Sequence, residues 1–123
     1  MLRFIALLLL AGTLAGAPLA CADSHGEAPP AIKFTVVNLE YEGTKVWVPG
    51  TIAVEKGTPI VLKLINNVPS GQHGFSIPAY DVAVVVDKGE PATVEFTADR
   101  EGIFPIMCHL HPTHIGGQLI VLP

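Results

Sequence analysis

The sequence is poor in charge, in sulfur and in helical periodicity. Only 15% of its 123 residues are charged, and the formal net charge is −4. That balance excludes a disordered acidic or basic chain and argues against a nucleic-acid partner, which needs a basic face. Two cysteines are too few for a disulfide-stapled scaffold. No window carries the spacing of a helix of about ten residues or more, and at roughly 100–200 residues per domain the length allows one domain. Against these shortages stand 12 glycines, 11 prolines and five histidines, three of the histidines within six residues of Cys108.

The N-terminus reads as an address. Met1-Leu2-Arg3 supplies one positive charge, Phe4 to Ala11 is an unbroken apolar run, and small residues with Pro18 follow. This is the order of a secretory signal peptide, and the run is too short to span a bilayer. Cleavage at Ala20-Cys21-Ala22 assigns residues 1–22 to the signal and starts the mature chain at Asp23. In the alternative, Cys21 is acylated and anchors a lipoprotein. Pro18 stands three places before it, where a lipobox carries Leu, so the soluble form is preferred. The expected location is the periplasm or another exported compartment, with no membrane span. In either form Cys108 is the one unmodified thiol in an oxidising compartment, so its sulfur should be occupied or buried. The mature chain keeps six basic residues against eleven acidic ones.

Residues 23–30 form a short polar lead containing proline, expected to be a flexible tether. From residue 31 to 123 the chain alternates β-branched and aromatic runs with Gly, Pro, Asn and Asp. The strand candidates are Ile32 to Leu39, Thr44 to Val48, Thr51 to Glu55, Ile60 to Ile65, Gly74 to Ile77, Val82 to Val86, Thr93 to Thr97, Ile103 to Cys108 and Gln118 to Leu122. In Thr93 to Thr97, Val94 and Phe96 share one face while Thr93, Glu95 and Thr97 share the other, and Lys63 points outward from Val61 to Leu64. Turn sequences at Lys56-Gly57, Asp87-Lys88-Gly89 and Arg100-Glu101-Gly102 recur at a spacing that suits an all-β sandwich or barrel.

Cys108-His109-Leu110-His111-Pro112-Thr113-His114 lies between a predicted strand and Gly116-Gly117. One thiol and two or three imidazoles on a tight loop are a donor set for a borderline-to-soft metal, copper or zinc first. A further ligand must come from elsewhere, and His73, in the loop after Ile60 to Ile65, is the candidate. His109 should point away from an inward Cys108, and Met107 should pack in a core, because neighbouring strand residues face opposite sides. His25 sits in the lead and has no assigned role.

These residues resemble the cupredoxins, small copper proteins with a Greek-key β-sandwich fold. Thr93 to Cys108, with Phe96, Thr97, Gly102 and Cys108 in order, is similar to the family's strand leading into its copper loop. The resemblance runs from about Ile32 to Leu122 and implies His73, Cys108 and His111 as the equatorial ligands. No Met follows His111, so His114 is the substitute for the usual axial ligand. Gly74-Phe75-Ser76-Ile77, Phe96-Thr97-Ala98-Asp99 and Cys108-His109-Leu110-His111-Pro112 are most similar to the nitrosocyanins, the red-copper branch. This chain departs from that branch in having His73 where a Glu ligand is found there, and in a shorter spacing to its last loop histidine.

The resemblance implies a single copper ion, with zinc as the less favoured alternative, and an exported one-electron carrier, more carrier than enzyme, working with periplasmic redox proteins. Pro69, Pro78, Pro112 and Ile115 would rim a nearly buried His111 edge. The alternative is a nitrosocyanin-like centre that binds or transforms a small molecule such as nitric oxide. Copper delivery is less favoured, because only Met107 and Cys108 supply sulfur to the mature chain. The branch likeness leaves a homo-oligomer open.

Overall fold

The computed structural model describes residues 29–123. The proposed signal 1–22 with Cys21, and the lead up to residue 28 with His25, lie outside the described residues. The alternating runs form nine strands among the described residues: β1 (Ile32–Tyr41), β2 (Thr44–Val48), β3 (Thr51–Glu55), β4 (Thr58–Asn66), β5 (His73–Ile77), β6 (Val82–Val86), β7 (Ala92–Ala98), β8 (Gly102–Ile106) and β9 (Gly117–Leu122). A single 3-10 turn, Pro78–Tyr80, joins β5 to β6. No helix among the described residues is long and apolar enough to cross a membrane.

One sheet runs β2-β1-β4-β7 and another β3-β9-β8, with β5 and β6 as a hairpin. Ser76 and Met107 exchange both backbone hydrogen bonds, at 2.9 and 3.0 Å, so the hairpin is fastened beside β8. β1 with β4 and β3 with β9 are parallel pairs; the other strand pairs are antiparallel. Such non-consecutive neighbours are the crossovers of a Greek-key sandwich. Between the layers lies one apolar core, with Val36, Leu62, Leu64 and Val94 from the first sheet meeting Ile52, Leu119, Val121 and Phe75. Fully burying a side chain such as Leu62 stabilises by about 1.5–3 kcal/mol relative to exposure.

Lys63 is exposed between buried Leu62 and Leu64, and Thr93, Glu95 and Thr97 are exposed around Val94, as the alternation requires. Glu42 and Gly43, both at positive φ, make the two-residue turn that lets β1 continue to Tyr41 and pair it with Thr44. β8 stops at Ile106 because its partner there, Gly117, is the first residue of β9. Met107 therefore pairs with Ser76 instead, and its side chain alternates away from the inward Cys108. It is 38% exposed, not packed in a core as expected.

Candidate metal centre

Three elements deliver the donor side chains. His73 opens β5, Cys108 follows β8, and His111 and His114 stand on the loop between β8 and β9. The His73 side chain is buried, and its Nε2 lies 3.0 Å from the Ser70 carbonyl oxygen. A carbonyl only accepts, so Nε2 carries the proton and Nδ1 keeps the lone pair. That Nδ1 is buried and has no hydrogen-bond partner, an arrangement that ordinarily costs stability unless a ligand satisfies it.

Cys108 is buried and free. The backbone N–H of Gly74 donates to its Sγ at 3.3 Å, and His111 Nδ1 is 3.6 Å from the same sulfur. One donor atom from each of His73, Cys108 and His111 lies within 4.8 Å of the others. His111, unlike its two companions, is exposed, more open than the nearly buried edge expected.

His114 stands just outside this trio. Its ring is 5.4 Å from that of His73, centroid to centroid. Its Nε2 is 2.9 Å from Asn38 Oδ1 and its Nδ1 is 3.4 Å from the Ile115 carbonyl oxygen. His109 is exposed, as expected, and its ring lies over Gly74. Burial is the main cause that lowers the pKa of both His73 and His114 below the ordinary 6.5, while the carbonyls of Ser70 and Ile115 act in the opposite direction. Both imidazoles are therefore neutral near pH 7, the form that ligates metal. An orphaned imidazole nitrogen, a buried thiol and a second imidazole nitrogen within bonding range of one ion fit a borderline-to-soft metal.

An open cavity of about 480 Å³ is lined by His73, His111 and His114 together with Lys45, Ser70 and Gln72. Pro69, Pro112 and Ile115 are exposed around the loops. Pro78 is not part of this rim. It follows Ile77, at the end of β5 opposite His73; at 3.3 Å per residue, Ile77 is already about 13 Å from His73.

A sequence profile of the cupredoxin-like domain matches residues 5–121. The chain belongs to the cupredoxin-like domain family. It is 38% identical over 66 residues to the nitrous-oxide reductase of Ralstonia nicotianae, a match covering 50% of this chain and 10% of the relative. Cytochrome c oxidase subunit 2 of Thermus thermophilus is 36% identical over 61 residues, covering 50% of this chain and 44% of that protein. The chain thus spans less than half the length of these relatives. Its fold is shared with a copper nitrite reductase from Nitrosomonas europaea, with TM-score 0.63, 21% identity, and 76% of this chain and 42% of that one covered. It is likewise shared with a multicopper oxidase, at TM-score 0.67 and 14% identity, covering 76% and 45%.

Three residues around this candidate site have contacts that the sequence does not announce. Asn38 touches His114, Gly74 touches Cys108 Sγ, and the Trp47 indole N–H donates to the Gly74 carbonyl at 2.9 Å. Asn38 did carry a signal, because alternation places it on the same inward face of β1 as Val36. Gly74 and Trp47 act from strands far apart in sequence and carried none.

Proposed function

We propose that this chain is an exported mononuclear copper protein that carries one electron at a time between redox partners. The observation that carries the reading is the convergence of one donor atom each from His73, Cys108 and His111, with His73 Nδ1 left without a hydrogen-bond partner and His111 alone exposed. Bound there, copper supplies a one-electron couple whose potential depends on its fourth donor. His73 and Cys108 are both buried, and each is held by a hydrogen bond, His73 through Nε2 to the Ser70 carbonyl and Cys108 Sγ from the Gly74 N–H, which keeps the ligands from rearranging. The exposed His111 edge is the exit toward a partner, and Leu110 and Ile115, 41% and 51% exposed, give that face an apolar character suited to transient docking. Export fits the signal-like residues 1–22, with a lipid anchor at Cys21 as its variant.

His114 is the fourth ligand in this proposal. A strong imidazole there weakens the copper–thiolate bond and lowers the potential, giving a green or red centre instead of an intensely blue one. Zinc would accept the same donors, and copper is preferred for the cupredoxin fold. A second reading, a nitrosocyanin-like centre that binds a small molecule such as nitric oxide, is favoured by the cavity that opens onto three imidazoles.

Copper loading of the purified protein tests the reading directly. Cys108→Ser should abolish the thiolate-to-copper absorption, and His73→Ala should weaken Cu(II) binding. Unchanged copper binding and colour in Cys108→Ser would defeat the proposal. Nitric oxide added to the oxidised and reduced protein separates the two readings: a new absorption band favours the binder, and an unchanged spectrum the carrier.

A further inference from the structure

A chain of buried carboxamides runs from the core to the loop histidine. Asn38 on β1 and Asn66 on β4 are aligned partners in the parallel pair and are 0% and 1% exposed. Polar side chains in such a place require full hydrogen bonding, and the partners fix which way each amide points. The Asn66 amide nitrogen faces two backbone carbonyls, Gly71 and Val86, each at 3.0 Å. Its Oδ1 faces the Val68 N–H at 3.1 Å. Two acceptors on one side and a donor on the other allow a single orientation, with NH2 toward the carbonyls.

That orientation propagates. Asn66 Oδ1 can only accept, so Asn38 turns its NH2 toward it, at 3.4 Å. Asn38 Oδ1 is then left facing His114 Nε2 at 2.9 Å. An amide oxygen accepts, so the imidazole must donate, which puts its proton on Nε2. His114 Nδ1 consequently keeps its lone pair. Its near neighbour there, the Ile115 carbonyl oxygen, is an acceptor and offers it no proton.

We infer that Asn38, oriented by Asn66, is a positioning residue that fixes the tautomer of His114 and so presents its Nδ1 as the fourth donor of the metal centre. The same Asn66 amide holds the Gly71 carbonyl, within the segment that leads into His73. One buried pair thereby ties together the two loops that supply the imidazoles. The polarity of this carboxamide chain is set by backbone groups of β6 and of the loop between β4 and β5, the segment just before His73. Metal-bound histidines ordinarily use such a partner on the second ring nitrogen, and its loss costs about 10- to 100-fold in metal affinity. The inference rests on the copper reading for its consequence, whereas the tautomer itself does not.

Two measurements test it. Nitrogen-15 NMR of the histidines in the metal-free protein should find His114 protonated at Nε2 and bare at Nδ1; a proton on Nδ1 overturns the inference, and this test needs neither copper nor a variant. In the copper-loaded protein, Asn38→Leu and His114→Ala should each lower Cu(II) affinity by about 10- to 100-fold in a chelator competition. The double variant should be no weaker than His114→Ala alone, and the paramagnetic resonance spectrum of Asn38→Leu should move toward that of His114→Ala. A wild-type spectrum in Asn38→Leu, unchanged affinity in His114→Ala, or losses that multiply in the double variant overturn the role. Failure of the wild-type protein to bind copper would instead strike the functional reading and leave the tautomer test standing.

Discussion

Gly74 meets the centre through its backbone alone, its N–H directed at Cys108 Sγ and its carbonyl receiving the Trp47 indole hydrogen. A Cβ on Gly74 would stand 2.6 Å from His109 Nδ1 and 3.1 Å from the His109 backbone nitrogen. The ring can swing aside but the backbone cannot, so Gly74→Ala should cost about 1–3 kcal/mol in denaturant unfolding. It should also shift the thiolate-to-copper band of the loaded protein; an unaltered band and midpoint would show that the loop yields freely. Trp47→Phe keeps a ring against Phe75, now 5.4 Å away edge to face, but removes the indole donor, for an expected loss of about 0.5–1.5 kcal/mol. At this scale the sequence singles out His73, Cys108 and His111, which the fold brings together, because thiol and imidazole are scarce and their chemistry is narrow; His114 stands beside them as a proposed ligand. It did not disclose Asn38 or Gly74, whose roles exist only once strands distant in sequence are adjacent. Met107 was misplaced for a related reason: strand alternation said that it opposed Cys108, but not that the opposite side there is solvent.

Among the elements, β4 carries the centre of the first sheet, with Ile60, Leu62 and Leu64 buried in line. Leu62→Ala should destabilise by about 2–5 kcal/mol, read from the urea midpoint, because neighbouring strands on both sides limit collapse of the cavity. The strands with one wet face were legible from alternation, and β2, β3 and β6 fall where the sequence placed them. β5 is buried along its whole length, so it has no alternation to read, and the sequence alone leaves its first residue, His73, in the preceding loop. The ends of β1, β4 and β8 depend on pairing partners, which a single strand does not encode.

At the scale of the whole fold, the apolar core among the described residues is a cluster that includes none of the proposed ligands. Cys108→Ser should therefore lose the metal chemistry yet still unfold in one cooperative thermal transition; a broad, non-cooperative melt would contradict this. Acidity should act on the fold by way of the buried imidazoles. His73 and His114 have lowered folded pKa values, so below about 6.5 the unfolded chain binds more protons than the folded one. The stability contributed by keeping them neutral is present above that pH and is lost as pH falls toward the lowered folded values. The urea midpoint of the metal-free protein should accordingly drop between about pH 7 and pH 5, and a rise would refute the assignment.

The loop that bears His111 and His114 has a second duty. Ile115 N–H donates to the Lys45 carbonyl at 2.9 Å and pairs with Val46, and both of those residues belong to β2, the outermost strand of its sheet. An open strand edge is a template on which another chain can polymerise. The histidine loop is thus also an edge guard, and shortening it would leave part of β2 unsheltered, with self-association as the sign that the guard had been removed.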